Sequence, residues 1–347
     1  MAYNASLNSL NSLLVNIDGK VGLFAGLPWF FQIWTRDEMV SLKALSKIAN
    51  VKQILNRTVS SMLPDGSLPN RFPPSSLESA DAIGWFYKRF NKPVKVKDVI
   101  QSALKYHTKE PFVINNPLDT WMDTVERPGS RIELQAMRLL MYKLLDKQKV
   151  EKDVPRSNLE SEGFVVKDSK KEVSGKELEK ELREKVKEKF WNRIVLFDGL
   201  NDQTIRPNVF IASYIYPNLL SKKEWVFCFR NVLPRLWNEW GGLSTIDKYD
   251  PRFVDAYTGE NNVSYHNGDS WFWINNLAAL MMDRMDKSKF KPYVDRIVEA
   301  SVNEILYSGM VGHHAEVSSS KRLDSNGCMA QAWSSALFVE LVDELKR

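Results

Sequence analysis

The feature that most restricts the fold is a recurring unit in which a loop of aromatic and polar residues runs straight into a helix-length segment that is apolar round most of its circumference. From Asp37, the positions Val40, Leu42, Ala44, Leu45, Ile48 and Ala49 fit a helix buried on several sides. Residues 79–90 place Ile83, Phe86 and Phe90 on one face with Tyr87 beside them, and residues 131–145 carry Ile132, Leu134, Met137, Leu140, Met141 and Leu144. A helix without a polar face does not sit at a surface, so these segments belong to an inner layer. A second class alternates with them. Ser174-Gly175-Lys176-Glu177 has capping-box spacing, and the segment after it carries a narrow stripe of Leu178, Leu182, Val186 and Phe190 among Lys and Glu. Residues 290–306 behave likewise, with Phe290, Val294, Ile297, Val298 and Ile305. Such helices cover an inner layer from outside.

Strand signals are sparse: Phe164-Val165-Val166 and Ile194-Val195-Leu196-Phe197 would make at most a small ribbon. An all-α toroid of alternating inner and outer helices accounts for the pattern, with about 12 helices at roughly 29 residues per helix and loop. Residues 150–171 are polar, charge-mixed and without period. Inner-type segments and aromatic loops lie on both sides of them, so they are read as an excursion from one domain spanning residues 1–347.

Composition narrows the function. The net charge of +5 arises from 48 basic against 43 acidic residues mixed along the chain rather than drawn into a basic stripe, which disfavours nucleic acid. Cys228 and Cys328 have no metal-ligand spacing and are expected to be reduced thiols. The first 21 residues lack the pattern of a signal peptide and no apolar run approaches the ~20 residues of a membrane span, so a soluble, cytoplasmic protein without a membrane partner is expected. Many of the 11 Trp stand in Gly-, Pro- and Asn-containing loops, where core packing does not explain them and a flat-faced ligand would.

Those loops carry the chemistry. They include Phe31-Gln32-Ile33-Trp34-Thr35-Arg36-Asp37, Pro69-Asn70-Arg71-Phe72-Pro73, Thr120-Trp121-Met122-Asp123, Tyr265-His266-Asn267-Gly268 and the stretch from Glu316 to Trp333. Each precedes an inner-type segment, so one shared site at one rim of the helical array is expected. Trp34-Thr35-Arg36-Asp37 resembles the substrate-anchoring motif of glucoamylases. With Gly26-Leu27-Pro28-Trp29-Phe30, Asp65-Gly66-Ser67-Leu68-Pro69-Asn70-Arg71-Phe72, Arg206-Pro207-Asn208 and Gly327-Cys328-Met329-Ala330-Gln331-Ala332-Trp333-Ser334, the set is similar, in order, to the amylo-α-1,6-glucosidase domain of glycogen debranching enzymes. The resemblance runs from about residue 26 to the C-terminus. It implies an (α/α)6 barrel with an inverting glucosidase site in a funnel at one rim, and an α-glucan or oligosaccharide as substrate. In the glucoamylase pattern the acid follows the Trp directly; here Met122 intervenes and the acid is Asp123, as in the debranching pattern. Asp269-Ser270 stands where debranching enzymes often have Pro-Glu.

Inverting hydrolysis requires a protonated carboxyl for the leaving oxygen and an ionised one to activate water on the opposite face. Asp123, flanked by Trp121 and Met122, is the expected acid, since apolar company disfavours its charged form. Glu316, in the last loop before the final inner helix, is the expected base, with Asp247 in reserve. The simpler readings are a helix cap for Asp123 and a solvated loop residue for Glu316. Arg36 and Asp37 would hold sugar hydroxyls, or form a structural ion pair at a helix start. Asn70 and Arg71 would border the pocket or merely form a turn, and Tyr265 and His266 would add hydroxyl partners, His266 having a core role as its alternative. Trp29, Trp34, Trp121 and Trp271 would pack against sugar C–H faces, whereas Trp333 is read as core. Arg206 and Asn208 would support the rim. The adjacent His313 and His314 point apart and lack a further ligand at useful spacing, so neither a metal nor a cofactor is expected. The competing functions are hydrolysis of a small α-glucoside, such as trehalose or a glucosylated solute, and non-catalytic glucan binding.

Overall fold

The computed structural model of the chain describes residues 1–75, 79–90, 108–109, 111–145, 149–153 and 170–347. Among them are ten α-helices: α1 (Ala2–Ser12), α2 (Thr35–Leu45), α3 (Val51–Ser60), α4 (Ala82–Arg89), α5 (Ile132–Leu145), α6 (Gly175–Phe190), α7 (Asn208–Ile215), α8 (Lys222–Leu236), α9 (Phe272–Tyr307) and α10 (Ala332–Leu345). Six of them close a ring. Helix α2 packs on α4, α4 on α5, α5 on α7, α7 on α9, α9 on α10, and α10 back on α2. These are the segments buried on all sides: α2 buries every residue except Lys43, α7 buries every residue, and α10 is buried from Ala332 to Leu341.

Outer helices lie against this ring, with α1 on α10, α3 on α2, α6 on α5 and α8 on α9. Helix α9 supplies both layers, because the backbone leaves helical geometry at Asp286 (φ −161°, ψ 90°). Residues before Asp286 are almost continuously buried, and those after it bury a stripe of Phe290, Val294, Ile297 and Ile305. The chain is therefore an all-α (α/α)6 toroid, as the two classes of segment predict.

The ends of the two layers differ. Outer helices α3, α6 and α8 are capped by side chains, Asn50 for the first and complete capping boxes at Ser174/Glu177 and Ser221/Glu224 for the others. Inner helices α2, α4, α7, α9 and α10 have no side-chain cap bond. Neighbouring loops serve three of them instead: Thr35 N–H donates to Asn70 C=O (2.9 Å), Phe272 N–H to Glu316 C=O (3.2 Å) and Ala332 N–H to Ala25 C=O (2.9 Å). Two-residue antiparallel pairs add further stitches, Gly26–Leu27 with Ala330–Gln331, Ile33–Trp34 with Arg71–Phe72, and Ser270–Trp271 with Val317–Ser318. The loops are thereby fixed to the inner helix starts, which is what gives their side chains defined positions.

The ends of the expected excursion form an antiparallel ribbon, Lys149–Asp153 with Lys170–Ser174. The reading of 164–166 as strand falls outside the described residues, and within 194–197 Leu196 makes an isolated bridge to Trp191. No helix among the described residues is long and apolar enough to cross a membrane.

Candidate active site

A cavity of about 580 Å³ opens at the rim where the inner helices begin. Trp34, Arg36 and Asp37 reach it from the start of α2, Trp271 from the start of α9, and Gln331 and Trp333 from the start of α10. Asp123 enters from the loop between α4 and α5, and Glu316 from the loop between α9 and α10. In the ring order these two loops are three helices apart. The carboxyls therefore arrive from opposite sides.

Glu316 is buried and doubly held: Tyr265 Oη donates to Oε1 (2.6 Å) and the Cys328 N–H to Oε2 (2.9 Å). Burial raises its pKa to about 7 against the pull of both donors. Gly327 lies against the same carboxylate. A Cβ there would stand 2.4 Å from Glu316 Oε2, and its φ of +67° disfavours side chains independently.

Asp123 is different. Its side chain is 40% accessible, and its nearest cation is Arg36 Nη1 at 3.9 Å. The protein around it raises its pKa to about 6, with Arg36 opposing. Water in the cavity reaches this carboxyl, so a sugar that displaces that water would push it further up. The order of the two pKa values runs against the two roles, since the higher value belongs to Glu316. Two donors favour an ionised Glu316 but burial outweighs them, while Arg36 and its own backbone N–H keep Asp123 the lower of the two. Asp37, buried beside both, is raised to about 8 by burial and by the Glu316 and Asp123 charges, with Arg36 opposing.

Arg36 does not pair with Asp37. Its Nε donates to both oxygens of Asp81 (2.8 and 2.9 Å), and Asp81 also accepts the Trp121 N–H (3.0 Å) and the Ser79 hydroxyl (2.9 Å). Consecutive residues on a helix diverge by about 100°, so Arg36 and Asp37 point to different neighbours. Asp37 instead accepts from Gln331 Nε2 (3.3 Å). Asp81 thus ties the arginine to the segment bearing Asp123.

The wall beneath is aromatic. Trp121 meets Trp271 edge-on at 5.5 Å, Trp273 stacks on Trp333 at 4.7 Å, and Trp271 stacks on His266 at 5.0 Å. Trp121 Nε1 donates to Asn208 (2.7 Å), Asn208 donates to Asp198 (2.6 Å), and Asp198 takes two bonds from Arg127, each 2.9 Å. This buried chain fixes the indole plane from behind.

Not every expected residue reaches the cavity. Asn70 and Arg71 lie outside it, in the backbone pairing that anchors Trp34, and His266 sits behind Trp271, bonded through Nδ1 to Thr124 and kept neutral by burial and the nearby arginines. Trp29 lines only the outer part, with half its surface (51%) exposed. Trp333 is buried, as read, and also lines the cavity. Asp247 pairs with Arg235 outside it, and Arg206 braces the His266 and Thr245 carbonyls. His313 and His314 take separate partners, Ser9 and Glu304. Gln331, Asp81 and Tyr257 escaped the sequence reading. Gln331 stood in a quoted motif without a role, and nothing in the spacing pointed to the others.

Solved structures of similar fold include a glycosidase variant in complex with glucose, at TM-score 0.65 and 12% identity over 99% of this chain and 96% of that one. A GH63 mannosylglycerate hydrolase from Thermus thermophilus is similar over 100% of both chains, at TM-score 0.63 and 12% identity with Tris and D-glycerate bound, and at 0.63 and 11% with glucose bound. At such identity the likeness speaks for the fold alone. No curated protein matches the sequence significantly. The family model described as amylo-alpha-1,6-glucosidase matches residues 100–340, a span that holds Trp121, Asp123, Tyr265, Trp271, Glu316 and Gln331. That match covers well over half of the sequence, and the chain belongs to the amylo-alpha-1,6-glucosidase family of glycoside hydrolases.

Proposed function

We propose that this chain, acting as one catalytic domain in the cytoplasm, hydrolyses terminal α-linked glucose from α-1,6 branch stubs or non-reducing ends of a glycogen-like glucan, with inversion. What supports the reading is that Asp123 and Glu316, carried by loops three helices apart in the ring, both line one cavity walled by Trp34, Trp121 and Trp271. Asp123 gives its proton to the glycosidic oxygen as the bond to C1 breaks. Glu316 takes a proton from water as that water forms a bond to C1 from the other face, so the sugar leaves as the free β-anomer. Tyr265 and the Cys328 N–H hold the Glu316 carboxylate in place. Asp37 and the edge of Arg36 that faces Asp123 hold hydroxyls, and indole faces take the sugar's C–H surfaces.

Incubating the purified protein with α-1,4- and α-1,6-linked gluco-oligosaccharides of graded length tests this, with glucose as the expected product. Turnover of none of them sinks the reading. A small α-glycoside is the second substrate class, favoured by the fold likeness to the mannosylglycerate hydrolase over the whole chain. Trehalose and glucosylated solutes in the same panel decide between the two.

A further inference from the structure

The cavity's charge discriminates between aglycones. Its lining contains four carboxylic residues, Asp37, Asp123, Glu260 and Glu316, and among the described residues one cation, Arg36. That cation is already committed: its Nε bridges both oxygens of the buried Asp81, and the edge facing the cavity looks at Asp123. Glu260 stands in the turn Gly259–Asn261 on the outer wall, and Asn262 beside it is held in the left-handed region at φ +55°. Trp29, half-exposed, lines the outer part with it.

We propose that Glu260 is a specificity-determining residue which makes the aglycone side of this cavity, whose lining offers no cation but Arg36 among the described residues, reject anionic groups and accept neutral sugar or polyol. This rests on the reading that the cavity receives a glycoside, and it deepens that reading. A carboxylate on the aglycone would leave water for a partly enclosed site without meeting a free guanidinium or ammonium, and it would meet Glu260. A neutral aglycone loses nothing of the kind and finds an indole face at Trp29. Anionic small glucosides are thereby disfavoured relative to neutral ones of equal size.

The matched pair 2-O-α-glucosylglycerol and 2-O-α-glucosylglycerate differs at the aglycone only by hydroxymethyl against carboxylate. Binding of their non-hydrolysable thioglycoside analogues to the wild-type protein, measured by calorimetry, reads the preference without needing turnover. We expect the neutral analogue to bind about tenfold more tightly or better at low salt, and the ratio to shrink as salt rises. Glu260→Gln should narrow the ratio about threefold or more, and Glu260→Lys should narrow it further. Equal or tighter binding of the anionic analogue, or a ratio unmoved by both variants, overturns the inference. Gluco-oligosaccharide turnover together with equal binding sinks this inference and leaves the proposed function standing. Preference for the neutral analogue with no turnover of any glycoside does the reverse.

Discussion

Tyr265 and Glu316 form a 2.6 Å hydrogen bond in which the phenol is the donor, so the tyrosine favours the ionised carboxylate. Glu316 nevertheless stands at about 7 and Asp123 at about 6, which makes the productive form, Asp123 protonated and Glu316 ionised, a minority species. The pair titrates together, and kcat/KM should follow a bell in pH whose two limbs belong to it. Tyr265→Phe removes a donor and raises Glu316 further. The expected result is a lower maximum, by about tenfold for each tenfold weakening of Glu316 as an acid, with the alkaline limb moved upward and the acid limb unmoved. A pH profile of the variant that keeps both limbs and the wild-type maximum would count against a role for this bond.

The toroid was legible because burial leaves a one-dimensional trace: an inner helix such as α5 is apolar round most of its circumference, while α6 shows one stripe and a capping box. The rim was legible for a related reason, since Trp34 and Trp271 immediately precede inner helices and must therefore stand at their starts. Partnership was not legible. Arg36 finds Asp81 across 45 residues, and Asp37 finds Gln331 across 294. Nothing in local spacing distinguishes those pairs from the adjacent Arg36-Asp37. Trp333 shows a further limit, because an indole that packs on Trp273 on one face can still border a cavity, and helical periodicity reports only the packing.

Gly327 offers a test of how tightly the Glu316 carboxylate is placed. Gly327→Ala would bring a methyl carbon to 2.4 Å from Oε2 on a backbone that already has positive φ, so the loop or the carboxylate must move. We expect a loss of kcat on the order of 100-fold with a fold intact by circular dichroism, because misplacing a catalytic group by about 1 Å costs that much. A variant with near-wild-type kcat would show that Glu316 needs no such placement.

Asp37 links activity to stability. Its folded pKa, about 8, lies above the ordinary carboxyl value near 4, so the folded protein holds a proton that the unfolded chain gives up. The stability this contributes is full below about pH 4 and is lost as pH rises through about 8. Glu316, raised to about 7, acts in the same direction. Tm should therefore fall between pH 5 and pH 9, and Asp37→Asn should flatten that fall by several degrees. The same variant, like Asp37→Ala, should lose about 30- to 1000-fold in turnover through poorer orientation of the terminal sugar. Unchanged turnover in a folded variant would reduce Asp37 to a structural group.

The stereochemistry of the product bears on both carboxyls at once. Asp123 and Glu316 enter the cavity from loops three helices apart in the ring, which suits a pair separated by the ~6.5–9.5 Å that lets one water stand between carboxyl and sugar. An α-linked substrate should then release β-glucose first, visible by NMR or polarimetry before mutarotation equilibrates the anomers. Asp123→Asn should spare substrates whose leaving groups need no proton, such as an α-glucosyl fluoride, while Glu316→Gln should lose activity on these too, because water activation is required whatever departs. Both losses should exceed about 1000-fold on natural linkages. Initial release of α-glucose, the outcome of a retaining pair only ~5 Å apart, would overturn the assignment even with the substrate class intact.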